Sequence, residues 1–114
     1  MSNLDDATRL RHMRDAAVEA IGFIRDRSRS DLEGDRMLTL ALVKDIEIIG
    51  EAAGRISADL RTRYPHIPWV QMIGMRNRLT HAYFEVDLDI VWEVVTRDLP
   101  PLIVELEKII SLET

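Results

Sequence analysis

The chain contains no cysteine in its 114 residues. A disulfide framework and a thiolate metal site are therefore both closed to it. That usage fits a reducing, cytoplasmic setting. No uncharged stretch approaches the roughly 20 residues that a membrane helix needs. The run from Ile67 to Met75 is among the longest, so no membrane association is expected. The N-terminal Met1-Ser2-Asn3-Leu4-Asp5-Asp6 is acidic and lacks an apolar core, unlike a signal peptide. Strand-like alternation, internal repeats and low-complexity segments are missing. Missing too are several catalytic signatures. His12, His66 and His81 are preceded three residues earlier by Arg9, Arg63 and Arg78, so no Glu-x-x-His pair of the di-iron type exists. There is no His-Glu-x-x-His zinc motif, Gly-rich phosphate loop or Gly-x-Ser-x-Gly elbow. No metal and no cofactor is expected.

What is present is a globular balance of 46% hydrophobic and 31% charged residues, sized for one domain spanning residues 1–114. A chain this short buries a modest fraction of its surface and gains from dimerising. The net charge is −5, which by itself argues against a nucleic-acid partner. Its distribution argues the other way. Between Gly54 and His81 lie Arg55, Arg61, Arg63, Arg76 and Arg78 against the single acid Asp59, a local +4 that leaves −9 for the rest.

Hydrophobic spacing predicts four helices. Leu10, Met13, Ala17, Ile21 and Ile24 recur at steps of three and four, giving an amphipathic helix over roughly 5–27. Ser28-Arg29-Ser30-Asp31 offers breakers and caps, and Gly34-Asp35 offers a second start. Leu38, Leu42, Ile49, Ala53, Ile56 and Leu60 predict one long helix over about 35–63. Gly50 and Gly54 lie inside it at a propensity cost of about 1 kcal/mol each, which close backbone packing would explain. Pro65 and Pro68 break the chain, and a short helix is expected to begin at Pro68 and run towards Leu79. Thr80 to Val86 reads as a turn, and Asp87 as the cap of the last helix. Leu88, Val91, Val95, Leu99, Leu102, Leu106 and Ile109 then form a heptad-like seam. Pro100-Pro101 predicts a kink or restart near Asp98. Short connections between four helices suggest an all-α, up-down four-helix bundle with a kinked last helix.

The segment that can carry chemistry is Met75-Arg76-Asn77-Arg78-Leu79-Thr80-His81-Ala82-Tyr83. It gathers a permanent cation, an amide, an imidazole and a phenol. Arginine presents a planar fork of donors to phosphate. Histidine is the natural proton shuttle near neutral pH. On a straight helix, residues five apart diverge by about 140°. Arg76 and His81 can converge only if the helix ends between them or a second subunit closes the site. Spacing alone also admits a bland reading, with solvated arginines and Tyr83 capping the core. Trp69, Met72, Met75 and Trp92 read as core rather than as a base-stacking platform. His12, on a polar helix face, and His66, in a proline loop, read as incidental.

Arg76-Asn77-Arg78-Leu79-Thr80-His81-Ala82-Tyr83 resembles the R-N-x-x-x-H-x-Y signature of HepT-like toxins in the HEPN superfamily. Ile48-Ile49-Gly50-Glu51-Ala52-Ala53 resembles that family's I-I-G-E-A segment. Tyr64-Pro65-His66-Ile67-Pro68-Trp69 resembles its Y-P-x-I-P-W connection, and Val86-Asp87 with Val91-Trp92 the start of its last helix. The four blocks come in the family's order. The resemblance implies a helical homodimer that cleaves RNA without metal at a cleft between subunits, as the toxin of a toxin–antitoxin pair. It also implies a minimal nucleotidyltransferase antitoxin that adds AMP to the tyrosine of the H-x-Y element, here Tyr83. On this reading His81 transfers protons, Arg76 holds the scissile phosphate and Asn77 orients one of them. Arg55 and Arg78 are candidate RNA contacts. Glu51 matches the family, but its role stays open between a solvated charge and a supporting partner. The alternative is a non-catalytic helical protein that presents a substrate or nucleotide to a nucleotidyltransferase. A third option is a purely structural dimer, for which the arginine excess would be superfluous.

Overall fold

The computed structural model describes residues 5–82 and 85–114, with the backbone alone for 81 and 82. The described chain is mostly helical. Helix α1 spans Asp6–Phe23. Its N-terminal turn is closed by Asp5, whose side chain accepts from the Thr8 N–H at 2.8 Å. Leu10, Met13 and Ala17 are fully buried, and Ile21 and Ile24 are half-buried against the core. The predicted stripe is therefore the packed face.

Ser28 to Asp31 form a bend, and Asp31–Gly34 makes the single turn α2. Asp35 then caps α3, Arg36–Arg55, by accepting from the Leu38 N–H at 3.0 Å. A cap of this kind contributes about 1 kcal/mol. Sequence spacing predicts that this helix continues to Arg63. Instead Ile56 and Ser57 adopt extended backbone, and a separate helix α4 covers Ala58–Arg63. The reason is local and tertiary at once. The Ser57 hydroxyl accepts from the Leu60 N–H, while its own N–H and O–H donate to the Asp6 carboxylate at 3.0 and 2.6 Å. The break is thus pinned to the start of α1.

After the proline connection, α5 spans Trp69–Leu79, one residue later than expected, with Pro68 at the cap position. The Trp69 indole N–H donates to the Tyr64 carbonyl at 3.0 Å, which anchors the helix entry. The expected turn at 80–86 contains a two-stranded antiparallel pair, β1 (Thr80–Ala82) and β2 (Glu85–Val86), with Thr80 opposite Val86 and Ala82 opposite Glu85. Asp87 caps α6, Leu88–Glu93, by accepting from the Ile90 N–H at 3.1 Å. The expected interruption is a five-residue π-helical stretch, Val94–Asp98, before α7, Leu99–Glu113. Pro100 and Pro101 bring no N–H to the ladder, and just upstream the Leu99 N–H reaches back to Val94 O. The helical rod is adjusted there rather than broken.

Three helix pairs build the body. Helix α1 packs on α3 and on α7, and α3 packs on α5. The Asp6–Ser57 contact joins the start of α1 to the end of α3, so those two run antiparallel. The buried apolar side chains form one cluster, with Leu42, Ile46, Ile49, Leu99 and Leu106 fully enclosed. One acid sits inside it. Asp45 on α3 is 2% exposed, and its Oδ2 has no hydrogen-bond partner among the described residues. Burial first, and then the neighbouring Glu19 carboxyl, push this group up to about 7. Among the described residues no helix is long and apolar enough to cross a membrane.

Candidate active site

Helix α5 buries Trp69, Met72, Met75 and Leu79 at helical spacing, which turns Arg76, Asn77 and Arg78 outward. Apolar residues hold the helix while its polar face stays accessible. The helix ends at Leu79. Thr80 has extended backbone (φ −119°, ψ 126°), and its hydroxyl donates to the Arg76 carbonyl at 3.2 Å. The chain therefore changes direction between Arg76 and His81, one of the two ways in which residues five apart can converge. The side chain of His81 and the whole of Tyr83 lie outside the described residues.

Arg76 lies over a groove of about 440 Å³ between α3 and α5, lined also by Glu47, Gly50, Glu51, Gly54 and Arg55. Two glycines shape it in different ways. A β-carbon on Gly50 would sit 2.8 Å from the Met72 carbonyl oxygen, so only glycine permits this approach of α3 to α5. A β-carbon on Gly54 would meet nothing nearer than Ile73 Cγ1 at 3.9 Å, so that position leaves the groove open. The expected close packing holds at Gly50 and not at Gly54.

The arginine excess of the sequence is divided by the fold. Arg63 pairs with Glu113 at 2.7 Å and with Asp59 at 3.4 Å. Glu113 is held below the usual carboxylate range, first by the Tyr64 hydroxyl at 2.7 Å and then by Arg63. Arg61 donates to the Ile56 carbonyl. Both arginines lie beyond the C-terminal end of α3 and brace the protein. Arg55 shares the groove with Arg76 and pairs with Glu51 at 3.5 Å along α3. Arg76 reaches Glu47 across the two helices, Nε to Oε1 at 3.4 Å. Arg78 points to a different groove of about 410 Å³ against α7, with Met75, Leu102 and Arg97. It has no carboxylate partner among the described residues. The fold thus brings Arg55 to Arg76 and sends Arg78 elsewhere. Asn77 is exposed between them.

Glu47 escaped the sequence reading. Its signal was available, because Glu47, Gly50, Glu51, Gly54 and Arg55 recur at steps of three and four opposite the apolar stripe of α3. His66, read as incidental, pairs with Glu105 at 2.9 Å on the α7 side, away from Arg76. His12 is exposed on α1.

Chemically, the groove offers two guanidiniums with access to solvent, Arg76 and Arg55, each paired with a carboxylate, beside the point where the chain turns towards His81. The free donors of a guanidinium fork can bind an oxyanion. A family model described as "Ribonuclease HepT-like" matches residues 13–109. "Putative RNase MJ1380" of Methanocaldococcus jannaschii is 35% identical over 107 residues, covering 94% of this chain and 98% of the relative. "Probable ribonuclease HepT" of Thermococcus cleftensis is 39% identical over 94 residues, covering 82% and 86%. "Putative RNase MJ0125" of the former organism is 38% identical over 93 residues, covering 82% and 80%. No solved structure matches the chain. With most of its length matched by the family model and by relatives of similar size, this chain belongs to the HepT-like ribonuclease family.

Proposed function

We propose that the protein is a metal-independent RNA endonuclease acting at a cleft between two subunits. The observation that carries this reading is the end of α5 at Leu79, between Arg76 and His81, in a chain of the HepT-like ribonuclease family. RNA supplies its own nucleophile. A base takes the proton of the ribose 2′-hydroxyl, the 2′-oxygen attacks the adjacent phosphorus, and the 5′-oxygen leaves with a proton from an acid. His81 serves proton transfer, Arg76 stabilises the charge that builds on phosphorus, and Asn77 orients one of these groups. One motif offers one histidine. An acid and a base acting together therefore favour a homodimer in which two copies of the motif meet. In this reading the long helices α1, α3, α5 and α7 form an up-down four-helix bundle that carries the motif at one edge. Arg55, in the same groove as Arg76, contacts the RNA backbone. Arg78 contacts it from the far side of α5.

The biological role in this proposal is the toxin of a toxin–antitoxin pair. A cognate minimal nucleotidyltransferase adds AMP to Tyr83, two residues from His81. The adduct brings bulk and a phosphate that compete with RNA for Arg76. Mass spectrometry of the tyrosine-containing peptide after incubation with that partner and ATP is expected to show the adduct. Full neutralisation with an unmodified peptide would rule the modification out.

The deciding experiment for the enzyme is His81→Ala in purified protein treated with a metal chelator. The parent is expected to cut RNA, and the variant to lose about 10²- to 10⁴-fold in rate, the usual worth of a positioned proton-transfer group. Equal rates would sink the assignment. The same substitution is expected to abolish growth arrest on expression, which separates a toxin from a non-catalytic partner.

A further inference from the structure

The only ion pair that the described residues give to Arg76 is Glu47, and the two lie on different helices. We propose that Glu47 is a positioning residue for Arg76, holding its guanidinium in the orientation that meets the scissile phosphate. The proposal rests on the ribonuclease reading above, and assigns Glu47 a task within it.

Three features of the groove carry it. The first is the asymmetry of the pair. The Glu47 side chain is 27% exposed and that of Arg76 is 64% exposed, so the acid is the fixed member and the arginine the movable one. The second is the direction of approach. Glu47 comes nearest at Nε, the donor on the stem side of the guanidinium, at 3.4 Å. An anchor there leaves the terminal nitrogens to form the two parallel bonds that a phosphate accepts. The third is the way the glycines of α3 shape the groove. Gly54 puts no side chain into it, and Gly50 sets the spacing of α3 and α5 against the Met72 carbonyl. The geometry of the pair follows from that backbone contact. Glu51 does not fill the same role, because its partner is Arg55 on its own helix and both are solvated.

An acid this close to a phosphate site opposes binding of the anion while improving the alignment of the group that stabilises its transition state. The two effects separate in kinetics. Glu47→Gln keeps the shape and removes the charge. It is expected to lower kcat about 10- to 100-fold, the scale of misplacing a catalytic group, with KM unchanged or lower. A loss of that size in the parent background should vanish in an Arg76→Lys background. If kcat holds, if KM rises with it, or if the loss persists alongside Arg76→Lys, Glu47 does not act through Arg76.

A second readout is independent of cleavage. The Nε–H resonance of Arg76, assigned by its disappearance in Arg76→Lys, should stand apart from the bulk arginine signals in the parent and collapse into them in Glu47→Gln. An unmoved resonance overturns the positioning role. A moved resonance in a protein that cuts no RNA keeps the pairing and overturns the ribonuclease reading instead.

Discussion

Helix α3 carries two carboxylates two residues apart, with opposite electrostatic fates. Asp45 faces α1, is 2% exposed and meets another carboxyl, Glu19, rather than a cation. Glu47 faces α5, keeps partial access to solvent and meets Arg76. The α1 side of the helix is dry and stabilises the protein through burial, tolerating one expensive acid. The α5 side is held by a backbone approach at Gly50 and then opens into the groove. One helix therefore separates a closely packed region from one that opens to solvent.

The sharpest way to break that division is Gly50→Ala. The added methyl meets the Met72 carbonyl, a backbone atom that cannot move aside without shifting α5. A loss of about 1–3 kcal/mol in urea unfolding is expected, as for other overpacked sites. RNA cleavage should fall as well, because α5 carries Arg76. Unchanged stability would mean that α3 and α5 are not packed this closely.

Asp45→Asn tests the other face through pH. The folded state raises this acid to about 7 from an ordinary 3.8, so the folded chain holds a proton that the unfolded chain has released between those values. Its contribution to stability is therefore greatest below about pH 4, declines as pH rises through that window, and stays low above about 7. Melting temperatures should show the parent losing ground to Asp45→Asn between pH 4 and pH 7. A constant difference across that range would contradict the raised value.

Gly54→Ala carries the smallest effect and has the opposite sign to Gly50→Ala. Its nearest neighbour is an ordinary van der Waals contact, so the substitution is expected to stabilise α3 by about 0.5–1 kcal/mol. Chemical denaturation of the two alanine variants side by side would reveal whether the groove begins between these glycines.

Most of this architecture was legible in the sequence, because it is set by local rules. The apolar stripes of α1 and α5, the caps at Asp35 and Asp87, and the trouble at Pro100-Pro101 all follow from residue type and spacing. The break at Ser57 was harder to see. The apolar stripe runs straight through it, and what fixes the break is Asp6, 51 residues away. The pairing of 80–82 with 85–86 involves too few residues to alternate visibly. At the site, the motif and its helix end were readable, whereas the partners of its arginines were not. Arg61 and Arg63 neighbour Arg55 in sequence yet turn away to brace the protein, and Glu47 meets Arg76 only once α3 and α5 have packed.

The chain leaves the helical body at Leu79 and rejoins it at Asp87, and those two points are joined by one hydrogen bond, Asp87 N–H to the Leu79 carbonyl at 2.6 Å. Beyond that bond, Thr80 lies opposite Val86 and Ala82 opposite Glu85, so the excursion begins and ends on paired backbone. Closure entropy rises slowly with length, by about 0.6 kcal/mol for each doubling. A change in the length of this connection would therefore cost little in closure entropy so long as the Leu79–Asp87 bond holds the end of α5 to the start of α6.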